Sequence, residues 1–135
     1  VKPIIGANRR ETRIPIVLPV DENGDYAYDE DGKPIKGKKP LTFTVPRFDC
    51  LRVDEQKALN KALAEIAEMK DESGEPLSMR DRGTQVVVAT VRPYVSEAEL
   101  AVIANLLPFE LEQIADQIHQ GSNMTLGELL ASTDS

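Results

Sequence analysis

Six of the nine prolines fall within the first 46 residues, at Pro3, Pro15, Pro19, Pro34, Pro40 and Pro46. Proline removes a backbone donor and clashes with the preceding turn of a helix, so this spacing forbids a long helix there. Within the stretch, Ile14, Ile16, Leu18 and Val20 alternate with other residues and share one face of an extended segment. Leu41, Phe43 and Val45 alternate in the same way. Pro15 and Pro19 confine the first segment to an edge strand or an arm. Asn23-Gly24 and Asp31-Gly32 are turn dipeptides, so residues 26–28 are expected to pair locally in a small hairpin. Residues 1–46 thus read as a β-hairpin arm with a long tip, acidic first and basic after.

The rest of the chain has helical spacing. Asp54 is read as the cap of a helix from Glu55 to about Lys70, with Leu59, Ala62, Leu63, Ile66 and Ala67 as its apolar stripe. Ser73-Gly74 marks a turn. Gln85–Val91 has strand propensity, but its flanks are helical and no partner strand lies nearby. It reads as a helix capped by Ser78, with Met79, Gly83, Val86, Val87 and Thr90 on one stripe. Ser96 and Glu99 form a capping box, with Val95 as a staple onto Leu100. Pro108 suits a first helical position and Gly121 a helix end. Leu100, Ile103, Leu106, Leu107, Phe109, Ile114 and Ile118 are the expected inward residues of these two helices. Thr125 and Glu128 repeat the box, with Met124 stapling onto Leu129 and Leu126 and Leu130 on the same face. The expected fold is mainly α, four or five short helices, preceded by a Pro-rich extended β-hairpin arm, and α+β overall. The expected division is an arm over 1–46 and a helical domain over 47–135.

Charge is uneven along the chain. The net charge is −7, and residues 51–135 carry seven basic against fifteen acidic groups. After Arg92 there is no Lys or Arg, while seven carboxylates follow. Such a surface repels nucleic acid and anionic membranes. It serves either as a solvated face or as a docking face for a basic partner, and Glu97, Glu110, Glu112 and Asp116 are the candidate partner-binding residues. No apolar run reaches the roughly 18 residues of a membrane span. No charged-then-apolar pattern of a secretory signal is seen.

Chemistry-bearing residues are sparse. His119, near the expected end of a helix, is read as a partner of the C-terminal carbonyls. The lone Cys50 has no His or Asn context for a thiol nucleophile, and an unpaired cysteine fits a reducing cytosol. An EF-hand register on Gly24 puts Pro19 at the first position, and one on Gly32 puts Ala27 first and Lys38 twelfth, so neither loop fits calcium. Glu97/Glu99 and Glu110/Glu112 are spaced to face different sides of a helix, which does not support an acid–base dyad. Arg9, Arg10 and Arg13 form a small basic patch on the arm. No catalytic residue, metal ligand or cofactor site is expected, and an enzyme is not.

Taken in order, Leu41-Thr-Phe-Thr-Val-Pro-Arg-Phe-Asp49, Arg92-Pro-Tyr-Val-Ser96 and Ser122-Asn-Met-Thr-Leu-Gly-Glu-Leu-Leu-Ala-Ser132 resemble the tail assembly chaperones of long-tailed, siphovirus-type bacteriophages, especially those of actinobacterial hosts. The resemblance covers about residues 41–135, and the Leu126–Ser132 piece is its most specific part. It implies a non-catalytic protein that binds the tape measure protein and helps recruit tail tube subunits during tail morphogenesis. It also implies action in the cytoplasm of the infected host and absence from the mature virion. Many such chaperones have a second, frameshifted form, which would branch near Asp134. Two other classes stand beside this one: a structural virion subunit (a connector or tail-completion protein), and a small acidic DNA mimic that inhibits a nuclease or host factor.

Self-association is the remaining expectation. A two-stranded ribbon is marginal alone in water. Its apolar face, Ile14, Ile16, Leu18 and Val20 with Phe43 opposite, must lie on its own helices or on a neighbour's. The neighbour is the expected choice, which makes the chain a homo-oligomer by arm exchange.

Overall fold

The computed structural model describes residues 3, 4, 6 and 8–123. It is an α+β fold: an antiparallel pair, β1 (Arg13–Val17) and β2 (Thr42–Pro46), is followed by four helices. These are α1 (Val53–Ala67), α2 (Met79–Val91), α3 (Glu97–Ala104) and α4 (Pro108–Asn123). The further helix expected at Thr125, with Met124, Leu126, Leu129 and Leu130, falls on residues outside those described.

In the ribbon, Ile14 pairs with Val45 and Ile16 with Phe43. Just outside the paired strands, Arg47 N–H donates to Thr12 C=O at 2.9 Å and Leu18 N–H to Leu41 C=O at 2.8 Å. These bonds fix the parity of the ladder. Pro15, opposite Thr44, and Pro46, opposite Arg13, fall at the alternate pairs, where a backbone N–H would point away from the partner strand. Two prolines therefore sit in a two-stranded ribbon without removing a ladder bond.

The stretch between the strands is not one long tip. It folds into two successive turns of identical construction. Asp21 Oδ1 accepts from the N–H groups of Asn23 (2.9 Å) and Asp25 (3.0 Å), and Asp29 Oδ1 from those of Asp31 and Lys33 (both 2.9 Å). Gly24 and Gly32 take φ of 82° and 79°, a left-handed conformation that glycine adopts without strain. A third copy follows α1: Asp71 Oδ1 accepts from Ser73 and Glu75, and Gly74 has φ 81°. The shared Asp-Glu-x-Gly order is the signal for all three, since an aspartate can mimic the backbone of the turn it starts. Between the first two turns, Ala27 N–H donates to Pro19 C=O and Ala27 C=O accepts from Ile35 N–H, both at 2.9 Å. Ala27 is wholly buried, so the tip folds back on the ribbon. Lys38 Nζ ties it down, 3.2 Å from Asp25 and 3.6 Å from Asp21. Burial pushes the Asp21 carboxyl up, yet the N–H groups of Asp25 and Asn23 and the Lys38 ammonium outweigh it and hold it below the ordinary range.

The helix starts follow the sequence closely. Ser78 Oγ accepts from Asp81 N–H at 3.1 Å. Ser96 Oγ accepts from Glu99 N–H, and Ser96 N–H donates back to the Glu99 carboxylate at 2.9 Å. Leu107 N–H donates to Glu110 Oε1 at 2.9 Å ahead of Pro108. The strand-prone run 85–91 is helical. Its Thr90 hydroxyl returns to Val86 C=O at 2.7 Å, which satisfies the side chain inside the helix. One start differs. The helix expected from Asp54 begins a residue pair earlier, with Arg52 at the cap and its N–H donating to Glu55 Oε1 at 3.1 Å. Asp54 is in the first turn instead.

A single hydrophobic cluster joins ribbon and helices. It contains Ile14, Ile16, Leu18, Val20 and Val45, then Val87 and Val91 of α2, Ile103 and Leu106, and Leu111, Ile114 and Ile118 of α4. The ribbon's apolar face thus packs on the chain's own helices, not on a free face awaiting a neighbour. Ile16 and Leu18 are 1% exposed, and Phe43 packs against the same cluster. The strands of residues 1–46 and the helices of 47–123 share this core.

Several inward residues move. Leu107 and Phe109 are exposed, at 57% and 71%, and Leu111 takes the buried place. Leu111, Ile114 and Ile118 are the buried residues of α4, spaced three and four apart on one face of the helix. Met79 is 91% exposed, and α2 buries Val87 and Val91 one turn apart. Gly121 does not end a helix, because α4 runs through it to Asn123. Its reason is a close approach: a Cβ there would lie 2.8 Å from both Cδ1 and Cγ1 of Ile14.

Replacing Gly121 with Ala tests that contact. On an open helix face the change stabilises by about 1 kcal/mol. Here overpacking, about 1–3 kcal/mol, should outweigh it and lower the thermal midpoint. Ile14→Val in the same chain should recover part of the loss. A higher midpoint for Gly121→Ala alone would show that α4 does not press on β1.

Candidate functional site: an apolar groove between α1 and α2

Helix α1 is the outlying element. It packs chiefly on α2, whereas α2 also meets α3 and α4. Of its stripe only Ile66 is buried, while Leu59, Ala62 and Leu63 are half-covered. One side of α1 is therefore left facing a groove of about 440 Å³. Leu59, Ala62 and Ile66 line it from α1, and Val88 and Ala89 from α2. Val45, Phe48 and Leu51 close the side next to β2. Phe48 and Met69, both lining residues, are each about two-fifths exposed, at 42% and 41%.

The charged and amide side chains among its lining are Asp54, Glu55, Glu65, Gln85 and Arg92. One contact pins the geometry. Tyr94, in the 3-10 turn Arg92–Tyr94, donates its hydroxyl to Glu55 Oε2 at 2.6 Å. The other oxygen of Glu55 holds the Arg52 N–H, so this carboxylate caps α1 and anchors it to the turn after α2. Burial, then the Glu55 hydrogen bond and charge, push the Tyr94 phenol well above the usual tyrosine range. Apolar walls with a few fixed polar groups suit a ligand that buries carbon and not charge.

The residues singled out for partner binding do not gather here. Glu112 and Asp116 lie one turn apart on α4 and are exposed, so they share a face. Glu97 is exposed in the first turn of α3. Glu110 is only half-exposed. It is engaged in capping α4, and its charge is close enough to Tyr26 to raise that phenol. Of the four, Glu110 is thus taken up structurally.

Chemistry elsewhere is limited. Among the described residues no three His, Cys, Asp or Glu side chains come together in a way that could hold a metal ion. Burial and the neighbouring Asp49 charge push the Cys50 thiol up, and a thiol so shifted is a poor nucleophile. His119 pairs with Asn123 at 3.1 Å, one turn on in α4. Arg9 is engaged by Glu11 at 3.2 Å within the arm. Among the described residues no helix is long and apolar enough to cross a membrane.

A second depression, of about 450 Å³, lies on the other side of α2 between Met79, Gly83, Phe109 and Ala115. Arg80 and Glu112 are among its lining residues, and Met79 and Phe109, two of its large apolar residues, are mostly exposed. The α1–α2 groove is the better-walled of the two, since four segments enclose it: residues 45–51, α1, α2 and the Arg92–Tyr94 turn. Sequence spacing identified the α1 stripe, but not that it is left half-covered. Phe48, Leu51, Val88 and Tyr94 carried no periodic signal as a set, because four segments bring them together.

No protein family model, curated protein or solved structure matches this chain.

The Tyr94–Glu55 pair gives a pH test. A phenol whose folded pKa is raised contributes its stability below the ordinary tyrosine value of about 10 and loses it as pH rises through the folded value. Tyr94→Phe should therefore cost about 1.5–3 kcal/mol at neutral pH, the range for a hydrogen bond to a charged group. In wild type, the Tyr94 phenol should be the last of the three tyrosines to ionise in ultraviolet titration, after Tyr26, which Glu110 also raises. Glu55→Gln should bring it down. A titration unchanged in Glu55→Gln would show that the pair is not formed.

Proposed function

We propose that this chain is a protein-docking assembly factor without catalytic activity, a tail assembly chaperone of a long-tailed bacteriophage. It holds an amphipathic helix of the tape measure protein in the α1–α2 groove and helps bring tail tube subunits to it. The observation that carries the reading is the groove itself: a walled apolar surface on an outlying helix, with few polar groups and none arranged for chemistry. Helix-in-groove recognition needs such a surface and little else. Two of the segments that carry the resemblance, Leu41–Asp49 and Arg92–Ser96, also supply groove walls, through Val45, Phe48 and Tyr94. The net charge of −7 supports a partner with basic stretches and disfavours nucleic acid. On this reading the chain works in the cytoplasm of the infected host, is left out of the mature virion and needs no cofactor.

The connector reading drew on an arm free to lock into a neighbour. Here that arm's apolar face is buried in the chain's own core, so a neighbour could take it only after the core had opened. Self-association through other surfaces remains part of the chaperone proposal.

Co-expression with a tape measure protein tests the assignment. Ala58 lines the groove yet is exposed, so Ala58→Asp should leave the fold intact while placing a charge on the apolar wall. Capture should fall at least about tenfold, equivalent to 1.4 kcal/mol. Glu112→Lys should leave it nearly unchanged if the groove is the contact. Equal capture by wild type and Ala58→Asp, with unchanged circular dichroism, would place the partner elsewhere.

A further inference from the structure

The depression between α2 and α4 carries both a projection and a hollow on one face. Val87 and Leu111 line it and are buried, at 6% and 1%, so they lie at its base. Met79 and Phe109 line it too, yet they are 91% and 71% exposed, so they stand clear of the surface. Two large apolar side chains there forgo the burial that their size would reward. Small residues, Gly83 of α2 and Ala115 of α4, leave room beside them. A Cβ added at Gly83 would meet nothing within 4 Å, so the space over that turn of α2 is open.

The charges of this face complement one another as well. Arg80 comes from α2 and Glu112 from α4, one of each sign, and both are exposed. Among the described residues neither forms an ion pair within the chain. The chain as a whole carries −7, so two copies repel over most of their surface. Here the lining charges sum to zero. A basic partner finds no excess of carboxylate to choose this face by. A second copy turned about a two-fold axis brings Arg80 of each chain to Glu112 of the other, twice over.

We propose that the α2–α4 depression is the face through which two copies of the chain pair. Phe109 of each copy enters the depression of the other, over Gly83 and Ala115, and Arg80 of each meets Glu112 of the other. A two-fold contact uses the same patch on both copies, so the patch must fit itself, and this one supplies projection, hollow and both charges. It also gives self-association a place that the arm does not, since the arm's apolar face is buried in the chain's own core. The face offers two half-helices a side, less than the roughly 20–30 residues a side of a standard interface. The dimer is therefore weak and reversible. No residue lines both this depression and the α1–α2 groove, so the pairing stands or falls apart from the groove reading.

Analytical ultracentrifugation of the full chain, from about 1 μM to about 1 mM, tests the pairing. Wild type should pass from monomer to dimer over this range. Phe109→Ala, Arg80→Glu and Glu112→Lys should each weaken the dimer at least about tenfold, with circular dichroism unchanged. Arg80→Glu mixed with Glu112→Lys should restore it, because both charge pairs of the mixed dimer again join opposite signs. An ion pair within one chain would not respond to mixing. Ala58→Asp, on the α1–α2 groove, should dimerise like wild type. A wild type that stays monomeric throughout overturns the proposal, and loss of tape measure capture in Phe109→Ala would then assign the depression to that partner. A dimer that none of the three substitutions weakens also overturns it and places the self-contact on another face. Losses in the single variants that mixing does not repair would rule out the two-fold pairing.

Discussion

The fold depends on the contact between a two-stranded ribbon and the C-terminal half of α4. A ribbon of this size has one apolar face and no second layer of its own, so it is stable only when covered. Gly121 lets the helix backbone approach Ile14 to within side-chain contact, and Ile114 and Ile118 fill the same cluster. That approach joins residues more than a hundred positions apart. Once α4 lies on β1, α2 packs behind it through Val87 and Val91, and α3 closes the end through Ile103. The prolines of the ribbon are compatible with this because the ladder parity directs their missing donors outward.

The order of packing also explains why α1 is left half-covered. α2 has neighbours on several sides, and α1 takes a place outside the main cluster. It is held at one end by Glu55 and Tyr94 and near the other by Ile66, which is buried. Between those points its stripe meets α2 on one side only. The groove is the consequence of a core already complete without α1. Surfaces of this kind open and close at low cost, because few of the global contacts depend on them.

The rest of the surface is built to stay put. Three Asp-Glu-x-Gly turns use an aspartate oxygen to satisfy two backbone donors each, and the first is further fixed by Lys38. These loops are acidic, but the first aspartate of each is turned to its own backbone. Acidity here serves local geometry at Asp21, Asp29 and Asp71, and capping at Glu55, Glu99 and Glu110. It remains available to a partner at positions such as Glu112 and Asp116.

Local features were legible in the sequence because each depends on a few adjacent residues. The ribbon's alternation, the caps at Ser78 and Ser96, the Pro108 start and the turns at Gly24, Gly32 and Gly74 are all of this kind. Helix over strand at 85–91 followed from its neighbours. What the sequence could not decide was which faces meet. Gly121 looks like a helix end by itself, since a left-handed cap and a close helix–strand approach both call for a missing Cβ. Ile14, Ile16, Leu18 and Val20 form an apolar face whether they cover their own helices or a neighbour's. Only the tertiary structure chose the former, through the fit of Ile14 against Gly121, and only it exposed the groove, whose walls come from four segments that share no local period.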